Sequence, residues 1–253
     1  MMPSDKQQRI QETRYEFPYH YIPSCEDGRL VYARVWPAGF EYLAYTRFVI
    51  NQLRAVPFES LLDAGCGDGR FLYEIRNALP GKELLGIDIS EKAIRYARAM
   101  NPGVEYLCGD LVEMAEPHRQ FDVITLIEVL EHVSPPAVRD FLNALGRWLK
   151  AGGRLMATVP SKNVPVAKKH YQHFDMESLK GILASSFALS EHFFLNRKSR
   201  WDKWRDRLLK NRLFILNHQG LLAALFRRYE RRFLMANESN AKRICVVCRK
   251  AGV

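Results

Sequence analysis

The sequence lacks long apolar segments. No apolar run reaches the roughly 18 residues that a membrane-spanning helix needs. The first eight residues, MMPSDKQQ, do not have the apolar centre of a signal peptide. With 47% hydrophobic and 26% charged residues, the composition is that of an ordinary globular protein. We therefore expect a cytoplasmic protein with one large core.

Cysteine is scarce and occurs an odd number of times. Five cysteines in 253 residues do not form a disulfide framework. Cys245 and Cys248 have C-x-x-C spacing, but they lie in a run that predicts a β-strand, and no second pair follows. A zinc site is therefore disfavoured, and we predict two small buried side chains.

Positive charge is unevenly distributed. Residues 197–253 contain 16 Lys/Arg against 4 Asp/Glu, so residues 1–196, with 22 against 24, carry a slight negative excess. The net charge of +10 therefore comes from the C-terminal part of the chain. Such a local excess indicates an anionic partner or surface.

A glycine-rich turn follows the predicted strand 59–64. The strand ends at Asp63, and glycine then occupies every second position from Gly65 to Gly69. Glycine permits a tight turn and lets a ligand approach the backbone. The dinucleotide fingerprint requires Gly or Ala at the position held here by Arg70, and no G-K-[ST] follows. Neither a pyrophosphate site nor a P-loop is predicted.

Strands and helices alternate after this turn. The predicted strands are 59–64, 84–88, 104–107, 121–127, 154–159, 187–195 and 243–250, and the predicted helices between them are 69–79, 91–100, 135–149 and 176–185. This alternation predicts a parallel sheet with helices on both faces and ligands at the carboxyl ends of the strands. Acidic residues fall at four such ends: Asp63, Asp88, Asp110 and Glu128.

The motif Asp63-x-Gly65-x-Gly67-x-Gly69 resembles the first motif of class I S-adenosylmethionine-dependent methyltransferases. Segments 84–90, 108–111 and 121–133 resemble the second, third and fourth strand regions of that family. The resemblance covers about residues 58–196. Within this family, the sequence is similar to ubiquinone-pathway O-methyltransferases and their small-molecule relatives. It implies a Rossmann-like, doubly wound, seven-stranded and mostly parallel sheet, here with a helical insertion before the last strand.

The same resemblance implies S-adenosylmethionine as the cofactor. Asp63 would lie near its methionyl amino end, Asp88 would accept from the ribose, and Asp110 would bind the adenine. The cofactor-binding residues that it implies are Asp63, Gly65, Gly67, Asp88, Ile89, Asp110, Leu111 and Glu128. Transfer of the sulfonium methyl group then depends mainly on placement of the acceptor.

Three histidines are candidate bases for a hydroxyl acceptor. His132 lies in the loop after the fourth strand, and His170 and His173 follow the fifth. A base within hydrogen-bond reach of a hydroxyl promotes its methylation. Each histidine has a structural alternative, which is to orient a loop or cap a helix.

A metal is a further alternative. The pattern Glu128-x-x-Glu131-His132, with His170 or His173 downstream, resembles divalent-ion sites in small-RNA 2′-O-methyltransferases and in ubiquinone-pathway O-methyltransferases. The same pattern is frequent in relatives with no known metal. If a metal is present, the predicted ligands are Glu128, Glu131, His132 and His170.

Two basic helices, 201–210 and 220–234, are predicted before the last strand. In the second, apolar residues recur at helical spacing with arginines between them: Leu222, Leu225, Phe226, Tyr229 and Phe233. The pair has three interpretations. The pair could cover a sheet edge, or it could bind nucleic acid. In the third interpretation it attaches the protein peripherally to anionic lipid at the inner membrane face, and the side chains of Leu222, Leu225, Phe226 and Phe233 insert into the lipid.

Four segments are predicted: an aromatic arm and covering helix at 1–57, a cofactor-binding core at 58–196, a basic helical insertion at 197–242, and the last strand at 243–253. The predicted function is methyl transfer to an oxygen, or less favourably a nitrogen, of a small-molecule, glycan-linked or lipid-linked acceptor. The alternatives are a metal-aided RNA 2′-O-methyltransferase and a protein that binds S-adenosylmethionine without turnover.

Overall fold

The structure, a computed structural model, describes residues 24–26, 29–31, 36–114, 119–209 and 218–250. An antiparallel pair of short strands opens the described part, β1 (Ser24–Glu26) and β2 (Arg29–Val31). Most of the aromatic arm predicted at the start of segment 1–57 lies outside the described residues.

A single seven-stranded sheet forms the centre of the protein. Its strands are β3 (Ser60–Ala64), β4 (Glu83–Asp88), β5 (Glu105–Cys108), β6 (Phe121–Ile127), β7 (Leu149–Pro160), β8 (Phe187–Arg197) and β9 (Ala241–Lys250). The order is β5-β4-β3-β6-β7-β9-β8, and within this sheet β9 alone runs antiparallel to the other six strands. The predicted fold class is confirmed.

Helices pack on both faces of this sheet. They are α1 (Trp36–Arg54), α2 (Arg70–Ala78), α3 (Glu91–Met100), α4 (Val138–Trp148), α5 (Met176–Leu183), α6 (Arg200–Leu209) and α7 (Gln219–Phe233). One core cluster joins α4 and α5 to the sheet, and a second joins α1, α2 and α3. None of the helices in the described part of the chain has the length and apolarity needed to cross a membrane.

Sequence signals at the helix starts explain where several helices begin. Ser90 Oγ accepts from the backbone N–H of Ala93 at 3.2 Å, as expected for a side chain that caps α3. Asp175 and Ser178 form a reciprocal capping box at the start of α5. By contrast, β7 begins at Leu149 rather than at the predicted 154, because Leu149 already pairs with Phe121 ahead of a bulge.

The C-x-x-C pair lies in β9, as predicted. Cys245 and Cys248 are both fully buried, but they belong to opposite core clusters. An offset of three residues along a strand turns side chains to opposite faces of the sheet. The two thiols therefore do not converge on a metal.

The apolar face of α7 packs inside the protein. Leu222 and Leu225 are buried in a cluster with Phe40 of α1 and Leu209 of α6. The rings of Phe40 and Phe226 lie 5.4 Å apart. Phe233 stacks on Trp201 at 4.6 Å. The interpretation in which four of these side chains dip into lipid does not fit this packing, because helices α1 and α6 already contact them: Leu222, Leu225, Phe226 and Phe233.

A buried ion network ties α6 to α1 and β9. The guanidinium of Arg205, a side chain only 2% exposed, lies 3.2 Å from Glu41 Oε1 and 3.4 Å from Asp202 Oδ1. Lys242 Nζ contacts the same carboxylates at 2.6 and 3.0 Å. Burial alone would raise the pKa of Glu41, but Lys242, Arg243 and Arg205 together lower it. The network therefore requires charged partners from three elements.

We predict that Arg205→Ala lowers the free energy of unfolding by about 3 kcal/mol, because it removes the buried cation that lies between the half-buried carboxylates of Glu41 and Asp202. Stacking of Arg205 over Trp201 and Tyr229, at 5.5 and 5.4 Å from the ring centres, is lost as well. Urea denaturation measures the change. Arg207→Ala, an exposed change on the same helix, is the control and should stay within about 0.5 kcal/mol of the unmodified protein. Equal stability of the two variants would contradict the assignment.

Candidate active site

A cavity of about 710 Å³ opens at the carboxyl ends of β3, β4, β5 and β6. Its volume falls within the roughly 300–1,000 Å³ typical of small-molecule sites. Tyr42 and Tyr45 of α1 close one side, and Lys169 and Tyr171 close another. Every predicted cofactor-binding residue lines it: Asp63, Gly65, Gly67, Asp88, Ile89, Asp110, Leu111 and Glu128.

The glycine turn forms part of the cavity wall. Gly65 and Gly67 have positive φ angles of 76° and 55°, which only glycine adopts without strain. A Cβ on Gly65 would lie 2.4 Å from a methyl group of Val129. The carboxylate of Asp88 accepts from the backbone N–H groups of Gly67 and Ser90, each at 2.8 Å. One side chain thus fixes both the turn and the start of α3.

Asp63 is a buried acid beside the turn. It is 2% exposed, and its Oδ1 accepts from the hydroxyl of Thr125 at 2.7 Å. Burial raises the pKa of Asp63 to about 7. The hydrogen bond from Thr125 lowers this pKa, and the negative charge of Asp88 raises it further. A cation brought next to this carboxyl group would favour its ionised form.

Two apolar side chains in the cavity are unusually exposed. Ile89 is 41% exposed and Val112 is 37% exposed, and both line the cavity beside Asp110. The carboxylate of Asp110 accepts from the N–H of Val112 at 2.9 Å, which holds the turn in place. Covering the two side chains with a planar ring would remove apolar surface from water. Val112 was not predicted, because a short turn carries no periodic signal.

Glu128 has a strained backbone at the end of β6. Its φ is 56°, which is costly for a residue with a Cβ. Its N–H donates to the carbonyl of Thr158 at 3.0 Å, and its carboxylate lies 3.0 Å from Arg243 Nε. The Arg243 guanidinium also lies 4.3 Å from the ring centre of Tyr45. Arg243 was missed by the sequence analysis, because only the pairing of β9 brings it to this place.

His132 alone among the three predicted bases lines the cavity. Its Nδ1 lies 3.1 Å from the carbonyl oxygen of Lys169. Because a carbonyl can only accept, Nδ1 carries the proton and the neutral ring has its lone pair on Nε2. The ring is therefore held in the tautomer that a base or a metal ligand requires.

His170 and His173 lie behind His132 rather than in the cavity lining. His173 Nδ1 donates to the carbonyl of Val164 at 3.0 Å, so its Nε2 accepts from Nδ1 of His170 at 2.8 Å. This chain of hydrogen bonds leaves the lone pair of His170 on its buried Nε2. Their placement therefore makes His132 the best placed of the three predicted bases.

Three of the four predicted metal ligands converge. One donor atom each from Glu131, His132 and His170 lies within 4.8 Å of the others. Glu131 is 1% exposed, and its Oε2 has no hydrogen-bond partner among the residues described. Glu128, the fourth predicted ligand, contacts Arg243 and does not belong to this cluster. Two imidazoles and one carboxylate suit several divalent transition metals.

Residues 61–153 match a family model described as a methyltransferase domain. The structure is similar to that of N-methyltransferase NodS from Bradyrhizobium japonicum WM9 in complex with S-adenosyl-L-homocysteine, with a TM-score of 0.61 and 15% identity over 98% of this chain and 100% of that chain. This chain contains a methyltransferase domain with the class I fold. The predicted resemblance to the class I S-adenosylmethionine-dependent methyltransferases is confirmed.

Relatives of this methyltransferase domain include two ubiquinone biosynthesis O-methyltransferases. The Idiomarina loihiensis protein is 31% identical over 46% of this chain and 49% of its own length. The mitochondrial protein of Schizosaccharomyces pombe is 37% identical over 42% of this chain and 39% of its own. The similarity thus spans half or less of these relatives. A methyltransferase from Archaeoglobus fulgidus shares the fold, with a TM-score of 0.55 and 19% identity over 84% of this chain and 99% of that chain.

We predict that the affinity for S-adenosylhomocysteine, which carries a protonated amino group, increases between pH 5.5 and 7. Below the raised pKa of Asp63, each pH unit should change the affinity by up to about tenfold, since the ligand favours the carboxylate. Without ligand, the raised pKa of Asp63 should make the free energy of unfolding fall as pH rises from about 4 to 7. In that range the Asp63 carboxyl group keeps its proton in the folded state and loses it in the unfolded state. Calorimetric titration measures the affinity.

Asp63→Asn should weaken binding and flatten this pH dependence. Asp140→Asn, a change at an exposed acid that also lines the cavity, is the matched control and should keep it. An equally steep dependence in the Asp63 variant would contradict the assignment.

Proposed function

We propose that this chain transfers the methyl group of S-adenosylmethionine to a hydroxyl oxygen of a small-molecule acceptor. The observation that supports this most is that one cavity brings together all the predicted cofactor-binding residues and a histidine with a fixed tautomer. The two relatives named as O-methyltransferases favour oxygen over nitrogen. The similarity in fold to the N-methyltransferase NodS keeps nitrogen as the runner-up acceptor atom.

The cofactor fits the residues of the cavity. Asp63 would take the methionyl amino group, and the glycine turn would let the backbone approach. Asp88 would accept from the ribose through lone pairs beyond those used by its two backbone contacts. The exposed side chains of Ile89 and Val112 would cover the adenine ring beside Asp110. The bound group supplies a methyl on a sulfonium, which is already activated for displacement.

His132 would act as the base. Its Nε2 would accept the acceptor's hydroxyl proton, and the hydrogen bond from Nδ1 to the Lys169 carbonyl would keep the ring in that tautomer. An apolar or aromatic acceptor is favoured, because the cavity that His132 lines also presents a set of apolar and aromatic side chains outside the predicted cofactor-binding residues: Tyr42, Tyr45, Val129, Val133, Phe141 and Tyr171. Such a lining orients a small ring while excluding water.

We predict that His132→Gln lowers kcat by about a hundredfold to ten-thousandfold while cofactor affinity stays unchanged, because only the proton acceptor is lost. Release of S-adenosylhomocysteine with a panel of phenols and catechols measures the rate. His192→Gln, an exposed change on β8, is the control and should be neutral. Full activity of the His132 variant would contradict the role. Cofactor binding with no acceptor-dependent product in the unmodified protein would instead favour the non-catalytic alternative.

The cluster of Glu131, His132 and His170 supports a second candidate function. We propose that a divalent ion at this cluster would bind the acceptor hydroxyl and lower the pKa of that hydroxyl. The hydrogen bond from His170 to His173 would orient one ligand from behind. This second candidate corresponds to the alternative of metal-aided 2′-O-methylation of RNA, with three of its four predicted ligands and without Glu128.

We predict that Co²⁺ added to the metal-free protein gives visible absorption bands, and that Glu131→Gln weakens this binding about tenfold to a hundredfold by removing the anionic ligand. Glu177→Gln, an exposed change in the first turn of α5, is the control. Full methyltransferase activity after chelation, with no metal-dependent spectrum, would rule out the second candidate and leave His132 as the base.

A further inference from the structure

We propose that the outward face of α7 is a docking surface for membranes that contain anionic phospholipids. Its main feature is two pairs of arginines one helical turn apart, Arg227 with Arg228 and Arg231 with Arg232. We call these four side chains the arginine face. All four are exposed.

The arginine face has no internal counter-charge in the described structure. None of its side chains forms an ion pair with a described residue, and Glu230, the one acid of α7, contacts Arg47 at 3.4 Å instead. Arg227 with Arg231, and Arg228 with Arg232, are like charges at i and i+4, which repel one another on a helix. The helix dipole favours cations only in the last turn. An external anion would relieve the repulsion along the whole face.

The opposite side of α7 holds the helix firmly in place. Tyr229 is fully buried, and its hydroxyl accepts from Asn196 Nδ2 at 2.8 Å. The adjacent apolar side chains pack against α1 and α6, as described above. The arginine face is therefore presented by a fixed helix, and its guanidinium groups match the geometry of phosphate oxygens.

Two observations favour a membrane over a nucleic acid. The aromatic side chains of α7 all point inward, so the arginine face lacks the rings on which bases stack: Phe226, Tyr229 and Phe233. Helix α7 itself also exposes an apolar side chain, Leu221, 42% accessible, which suits the headgroup region of a bilayer. Because the apolar face of α7 is buried, binding would be electrostatic adsorption to headgroups, sensitive to salt.

The docking surface is connected to the wall of the cavity. Helix α1 contacts α7 through Arg47 and Phe40, and the same helix contributes Tyr42 and Tyr45 to the cavity lining. When the arginine face binds a membrane, α7 therefore lies at the membrane surface. Helix α1, which packs against α7, lines the cavity in which the acceptor would bind. This inference concerns where the protein binds and is independent of which atom it methylates.

Co-sedimentation of the full chain with vesicles tests the proposal. Binding is expected to vesicles of phosphatidylglycerol with phosphatidylcholine, but not to phosphatidylcholine alone, and to be lost as salt is raised from about 0.1 M to about 1 M. The double variant Arg228→Gln/Arg232→Gln should bind about 25-fold more weakly, at about fivefold per arginine. The control Arg95→Gln/Arg139→Gln removes the same charge from exposed positions on α3 and α4 and should change binding little.

Three outcomes would overturn the proposal: no sedimentation of the unmodified protein with anionic vesicles, equal losses in both double variants, or binding of single-stranded RNA in place of vesicles. The last outcome, read by fluorescence anisotropy, would assign the arginine face to nucleic acid. Unchanged affinity for S-adenosylhomocysteine in both variants shows that they are folded and separates this result from any failure of the proposed catalytic function.

Discussion

The carboxylate of Asp88 is the contact on which the cavity depends. It receives one N–H from the glycine turn after β3 and one from the start of α3, and so joins two neighbouring βα units at their carboxyl ends. Hydrogen bonds to a charged acceptor are stronger than neutral ones. The turn can therefore keep the positive φ angles of Gly65 and Gly67, which shape the wall that faces the ligand. Parallel pairing of β3 with β4 and β6 then brings the other acids to the same edge.

Buried ion pairs hold α1, which lines the cavity, against elements that are distant in the chain. Helix α1 supplies Tyr42 and Tyr45, while Glu41 of the same helix binds Arg205 of α6 and Lys242 of β9. The described basic residues of the insertion thus include two groups with different roles. Some neutralise buried acids and fix the helices, and the arginine face remains directed outward. A local charge excess in a sequence does not distinguish these two uses, because they differ only in what packs opposite each residue.

Local signals in the sequence predicted the sheet, the glycine turn and the acids at the strand ends, because each depends on residues a few positions apart. What depends on long-range packing was not predictable. Arg243 reaches Glu128 only through the antiparallel pairing of β9 with β7. The apolar stripe of α7 is equally compatible with lipid and with a protein core, and only the position of α1 decides between them. Similarly, the E-x-x-E-H pattern does not reveal that the Glu128 carboxylate contacts Arg243 and does not join the cluster of Glu131, His132 and His170.

All of these features imply that the strand ends of β3, β4 and β5 bind one molecule of S-adenosylmethionine. A crystal structure of the full chain with S-adenosylhomocysteine would decide this. We expect the amino acid end at Asp63, the ribose at Asp88 and the adenine ring between Ile89 and Val112. A nucleoside bound elsewhere, or bound without contact to Asp88, would show that these strand ends are not the cofactor site.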